Sequence, residues 1–243
     1  MKGLLTGVVV GVLALGMVQV ASADLVNGSF EDPQISGPHN ELFTDPSSAS
    51  IDGYRSFAGW HTTASDHFIE VWHDGFQAGN PSLHPYNDGG NQFAELNANE
   101  ASTLYQDISG ISNGSIVGYQ FAHRGRDGVD VMQFTITDLG TDGVTGGSGL
   151  AADSTLFTQQ YSDGNSAWGF YQGSGIIASG NTMRFSYAAI SAAGGNPTMG
   201  NFLDAAAFGV GVGVVPEPST YALLCISLGV VGFARKKMRK SEA

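Results

Sequence analysis

Between residues 60 and 99 the chain collects unusual side chains: Trp60, the run Ile69-Glu70-Val71-Trp72-His73-Asp74-Gly75, Tyr86, and Gln92-Phe93-Ala94-Glu95-Leu96-Asn97-Ala98-Asn99. Flat aromatic faces beside amides and carboxylates suit ligands dense in hydroxyls, because the ring covers apolar C–H surface while the polar groups exchange hydrogen bonds. Trp72, Tyr86, Glu95 and Asn97, joined by Arg124 and Arg126, are the set that would build such a surface. Core packing competes for Trp60, Phe93 and Trp72, and the two arginines could equally balance Asp127 and Asp130. Catalysis is less well provided for. Glu70, Glu95 and Asp107 could serve as a glycosidase acid and base, but so acidic a chain produces such pairs by chance. His61, His67 and His73 recur every six residues, a spacing that matches no common zinc site. The chain has no Gly-x-Ser-x-Gly elbow, no Walker loop and no Cys/His dyad. The expectation is a binding protein and not an enzyme.

Strands must hold these residues. In Val131-Met132-Gln133-Phe134-Thr135-Ile136-Thr137 the apolar set Met132, Phe134 and Ile136 falls on one face, with Gln133, Thr135 and Thr137 on the other; similar alternation runs through 118–123, 182–187 and 103–108. Turn-forming clusters separate the runs: Asn87-Asp88-Gly89-Gly90, Ser112-Asn113-Gly114, Gly146-Gly147-Ser148-Gly149 and Ala193-Gly194-Gly195-Asn196-Pro197. The pattern predicts an all-β antiparallel sandwich over residues 24–214, with no internal repeat and no second domain.

Composition narrows the partners. Residues 24–215 hold 20 acids, four arginines and no lysine, so this region is roughly 16 charges negative. It repels nucleic acid and attracts divalent cations. The single cysteine, Cys225, lies outside the sandwich, which therefore has no disulfide.

Both ends read as sorting signals. A lysine, an apolar stretch over 4–20 and Ala21-Ser22-Ala23 predict a signal peptide over residues 1–23, cleaved before Asp24. The other end, 215–243, has three parts: Val215-Pro216-Glu217-Pro218-Ser219-Thr220, an apolar run over 221–234, and a basic tail over 235–243. The prolines favour an extended entry, the apolar run is short for a membrane-spanning helix, and the basic cluster would remain cytoplasmic. Those three parts resemble the PEP-CTERM sorting signal of Gram-negative bacteria that make extracellular polysaccharide. The resemblance implies export across the inner membrane, anchoring by the C-terminal helix, recognition by an exosortase-type membrane protease at Val215, Pro216, Glu217 and Pro218, and delivery to the cell surface or extracellular matrix.

A second resemblance brackets the sandwich. Leu25-Val26-Asn27-Gly28-Ser29-Phe30-Glu31-Asp32-Pro33, followed by Gly59-Trp60, is similar to the opening of galactose-binding-like jelly rolls, a fold shared by many carbohydrate-binding modules. Gly200-Asn201-Phe202-Leu203-Asp204, then Ala207-Phe208, is similar to their closing strand. In such modules the opening glutamate and closing aspartate share a structural calcium. The resemblance therefore implies Glu31 and Asp204 as Ca2+ ligands, with backbone oxygen near Asn27; the second closing aspartate of that family is Ala205 here. The expected function is non-catalytic association with extracellular polysaccharide, and the alternative is an acidic structural matrix protein with no discrete ligand site.

Overall fold

The computed structural model describes residues 25–76, 80, 83–88, 90–140 and 154–212. The signal peptide, the sorting motif at Val215 to Pro218, the C-terminal apolar run and the Gly146–Gly149 cluster lie outside the described residues. Among the described residues there is no α-helix, and no helix long and apolar enough to cross a membrane.

Eleven strands form two antiparallel sheets. The strands are β1 (Asn40–Thr44), β2 (His61–Thr62), β3 (Phe68–His73), β4 (Gln92–Glu95), β5 (Thr103–Ser109), β6 (Ile116–Arg124), β7 (Asp130–Asp138), β8 (Ser154–Asp163), β9 (Gly169–Ile177), β10 (Thr182–Ser191) and β11 (Phe202–Val210). The first sheet runs β1-β3-β4-β11-β6-β9 and the second β2-β5-β10-β7-β8. Sequence neighbours thus repeatedly fall in opposite sheets: β5 crosses to β6, β6 to β7, β8 to β9 and β10 to β11.

Alternation decides which side chains fill the space between the sheets. Along β7, burial switches at every residue, and Met132, Phe134 and Ile136 enter the core. They meet the inner residues of β6 and β10: Phe121 lies 5.0 Å from Phe134 and 5.2 Å from Tyr187, ring centre to ring centre. Trp60 is fully buried and stacks on Phe30 at 5.0 Å, with its indole N–H donating to the Asn27 carbonyl. The amino-terminal segment can lie along β11 only because residue 28 is glycine: a Cβ there would sit 1.9 Å from the Ala206 carbonyl oxygen. That contact falls at a bulge in β11 between Asp204 and Ala207, where Ala205 takes a left-handed φ of 49°.

Candidate functional site

Ile69, Val71, Ala94, Leu203 and Phe121 face the main core, so their alternating neighbours emerge on the outer face of the six-stranded sheet. Strand register lines Glu70, Glu95, Phe202 and Arg124 across four strands, and places Trp72 beside Phe93 in the adjoining row. Described residues of the connection between β3 and β4 lie over these rows. Leu83 and Phe76 from that segment, with Trp168 from the β8–β9 connection, pack on Trp72, Phe93 and Phe202 as a second, smaller core. Trp168 fastens this roof by donating its indole N–H to the His84 carbonyl at 2.7 Å.

Sequence reasoning grouped Trp72, Glu95 and Arg126, and the fold brings them together. Arg126 Nη1 donates to both Glu95 oxygens at 3.0 and 3.2 Å, while its guanidinium lies 4.7 Å above the Trp72 ring. The Trp72 indole N–H donates to Glu70 at 3.0 Å, and the Gly200 N–H donates to Glu95 at 2.6 Å. Arg124 sits in the same row and donates to the Asn165 carbonyl. Most of this is enclosed: Trp72 and Glu95 are 1% exposed and Arg124 2%, while the Arg126 side chain is 20% exposed. Trp72 is therefore a packed residue and not an open stacking platform. Asn97 is also buried and lies apart from the set, tying loops together by donating to the Pro197 carbonyl and accepting from the Asn201 amide.

Enclosure governs the charges. Burial, then the neighbouring Glu70 carboxylate, pushes Glu95 up to about 8 against the pull of Arg126; burial also raises Glu70. The pair retains a proton at pH values where a solvated carboxyl has lost it. Burial makes Arg124 less basic than usual.

Glu31 and Asp204 meet around the stretch 86–92. Glu31 Oε1 accepts the backbone N–H groups of Asn91 and Gln92, each at 2.7 Å, and Asp204 accepts those of Tyr86 and Ala205. Glycine at position 90 leaves room for this carboxylate: a Cβ there would lie 2.1 Å from Glu31 Oε1 and displace it. Burial lifts Asp204 to about 7, and the charge of Glu31 adds to the rise. The two carboxylates thus interact electrostatically, and one of them is desolvated. Asn27 is otherwise engaged: its side chain bonds in both directions to the Asp32 backbone, and its carbonyl accepts from Phe30 and Trp60. No group of three or more His, Cys, Asp or Glu placed to hold a metal occurs among the described residues. His61 instead bonds Asp45, and His73 the Asp74 carbonyl.

Tyr86 leads to residues that sequence reasoning passed over. Its ring stacks on Phe170 at 5.3 Å with only 1° between the planes, and Phe170 is 41% exposed. Two residues along β9 on the same face comes exposed Gln172, paired in register with Gln120 of β6. An aromatic pair flanked by two amides therefore lies open at the side of the roof. The signal was the aromatic run Trp168-Gly169-Phe170-Tyr171-Gln172, concealed by surrounding glycines.

Residues 214–240 match the family described as the PEP-CTERM protein-sorting motif, and Val215, Pro216, Glu217 and Pro218 fall inside that match. The chain carries a PEP-CTERM sorting signal. Such a signal marks an exported, exosortase-processed surface protein. No curated protein matches the chain in sequence. Among solved structures, a CBM4 module is similar at 12% identity and TM-score 0.37, covering 76% of this chain and 98% of that one. The C-terminal family 22 carbohydrate-binding module of Clostridium thermocellum Xyn10B is similar at 13% identity and TM-score 0.41, covering 78% and 99%. A Stig cyclase from Fischerella sp. TAU is similar at 12% identity and TM-score 0.46, covering 78% and 98%. The structural neighbours are for the most part carbohydrate-binding modules.

Proposed function

We propose that the chain is a membrane-anchored precursor, processed at its PEP-CTERM motif, whose sandwich associates with extracellular polysaccharide without catalysis. The observation that carries the reading is the open platform of Tyr86 and Phe170 with Gln120 and Gln172 beside it. Stacked rings offer apolar area to the faces of sugar rings, and the amides donate to and accept from their hydroxyls. Trp72, Glu95, Arg124 and Arg126 act beneath it as the support that fixes the roof carrying Tyr86. The burial of Glu70 and Glu95, at 6% and 1% exposed, supports binding over hydrolysis, since a glycosidase must offer its carboxyls to the substrate. A calcium ion held by Glu31 and Asp204 belongs to the same reading: it would relieve the buried charge and fix the stretch from Tyr86 to Gln92 that both carboxylates grip.

The test is binding of the full chain in detergent micelles to xylan, β-glucan, galactan and acidic exopolysaccharide, with calcium or EDTA. Phe170→Ala and Tyr86→Ala are expected to weaken saturable binding at least about tenfold, a loss of ~1.4 kcal/mol, without lowering the melting temperature. Calcium is expected to raise the melting temperature of the wild type but not of Asp204→Asn. Its effect should grow from pH 6 to pH 8, because Asp204 must lose its proton to bind. Absence of binding by a folded chain, or binding indifferent to both ring deletions, would leave the acidic structural role as the better account.

A further inference from the structure

The two sides of the sandwich close their sheet edges differently. On one side β2 is only two residues long. Beside it β1 carries Glu41, paired with Arg55 at 2.8 Å, and is covered by residues 55–57 through Thr44. Short, charged and covered edges resist pairing with another chain. On the opposite side the edges are β8, ten residues, and β9, nine. Among the described residues β8 pairs only with β7, and β9 only with β6. Those 19 residues contain one charged side chain, Asp163, which turns away to bond His123 and Tyr171. They contain no proline and no lysine.

We propose that β8 is the assembly edge of this protein and that its partner is β8 of a second copy. The two would run antiparallel about a two-fold axis and continue the five-stranded sheet across both copies. Charge selects the partner and the side. Copies each roughly 16 charges negative over residues 24–215 repel one another on most approaches, but not along an uncharged edge that spans roughly 33 Å. Side-chain chemistry favours β8 over β9. On its outward face Thr158 bonds Thr135 at 3.1 Å and Gln160 approaches Gln133, so hydroxyl and amide pairs already cross this sheet and repeat across a two-fold axis. Each ladder carries one register shift, at Leu156 in β8 and opposite Gly118 in β9, but β9 alone also contains a left-handed residue, Gly175, in mid-strand.

Sedimentation of the full chain in density-matched detergent, from about 1 to 100 µM, a range that brackets ordinary protein–protein affinities, reads the assembly directly. The wild type is expected to reach the mass of two chains. Thr158→Lys/Gln160→Lys is expected to halve that mass with an unchanged melting temperature, whereas Asn113→Lys/Val129→Lys, which adds the same charge on exposed loops, keeps the wild-type mass. With the two-fold axis at the middle of β8, between Thr158 and Gln159, a spin label on Gln160→Cys in a Cys225→Ser background should report one short separation, within roughly 20 Å, because the labelled positions are then about three residues apart along strands about 4.8 Å apart. A wild type that stays monomeric, a lysine-edge variant that still dimerises, or a long or broad label separation would each overturn the proposal.

Discussion

The outward faces of the two sheets are built on the same alternation and meet opposite fates. On the six-stranded sheet, Glu70, Trp72, Glu95, Arg124 and Asp204 are all covered, and each charged group is held by named donors or acceptors from other segments. On the five-stranded sheet, Tyr105, Asp107, Gln133, Thr135, Arg184 and Ser186 remain wholly or partly in solvent. The difference comes from two connections: described residues after β3 and after β8 lie over the six-stranded sheet, whereas no described segment covers the other. A roof converts polar residues from solubilising groups into groups that must find partners or hold protons, because buried charge is costly unless compensated. The carboxyls that burial raises, Glu70, Glu95 and Asp204, therefore all lie on the covered face, and open recognition surfaces lie beside the roof or on the bare sheet.

The sharpest test of that contrast is packing. Trp72→Ala removes a ring that touches Phe76, Phe93 and Phe202 and carries the Arg126 guanidinium, so it should cost about 3–5 kcal/mol, the usual range for a fully buried large aromatic. Tyr105→Ala on the bare sheet should cost about 1 kcal/mol or less. Urea unfolding of both variants decides the matter. Equal costs would mean that the roof adds no packing.

Protonation gives the next largest effect. Glu95 folded lies near 8 against an ordinary 4.5. A carboxyl raised on folding contributes stability that is complete below about pH 4.5 and lost as pH rises through about 8, since the unfolded chain releases the proton more readily. Asp204, raised to about 7, adds a fall with the same sign in the calcium-free chain. The wild type in EDTA should thus lose stability from pH 5 to pH 8.5, and Glu95→Gln should flatten most of the slope. A wild-type profile that rises over this window would show that Arg126 outweighs burial.

Legibility in the sequence followed the same division. The runs that became β5, β7 and β10 were plain because burial alternates along most of each, so period two survives in the residue types; β6 is largely buried on both faces and was legible because Tyr119, Phe121 and His123 alternate with smaller or polar residues. Strand β3 was noticed for its chemistry and not for its period: with both faces buried, Glu70 and Trp72 are as enclosed as Ile69 and Val71. Trp72, Glu95 and Arg126 could be grouped from type alone, but nothing local announces the roof, which depends on Leu83, Phe76 and Trp168 meeting across the fold. Strands β8 and β9 were missed because edge strands pack weakly: Thr, Gln and Gly leave little apolar periodicity to read, and Phe170 went unnoticed with them.

The smallest effect tests the bare sheet on its own terms. Arg184 makes two contacts to Asp107, at 2.7 and 2.8 Å, and stacks 4.0 Å over Tyr105, a geometry as good as the Arg126–Glu95–Trp72 set on the other face. Solvent access makes the difference, because water screens the pair and solvates either partner left alone. Asp107→Asn should cost about 0.2–1 kcal/mol, and a double-mutant cycle with Arg184→Met should return a coupling of that size. The coupling should shrink further in 1 M salt, where the screening length falls to roughly 3 Å. If it instead persisted undiminished in salt, cover by solvent-excluding structure would not be what separates the two faces, and the stacking on Tyr105 would be carrying most of the interaction.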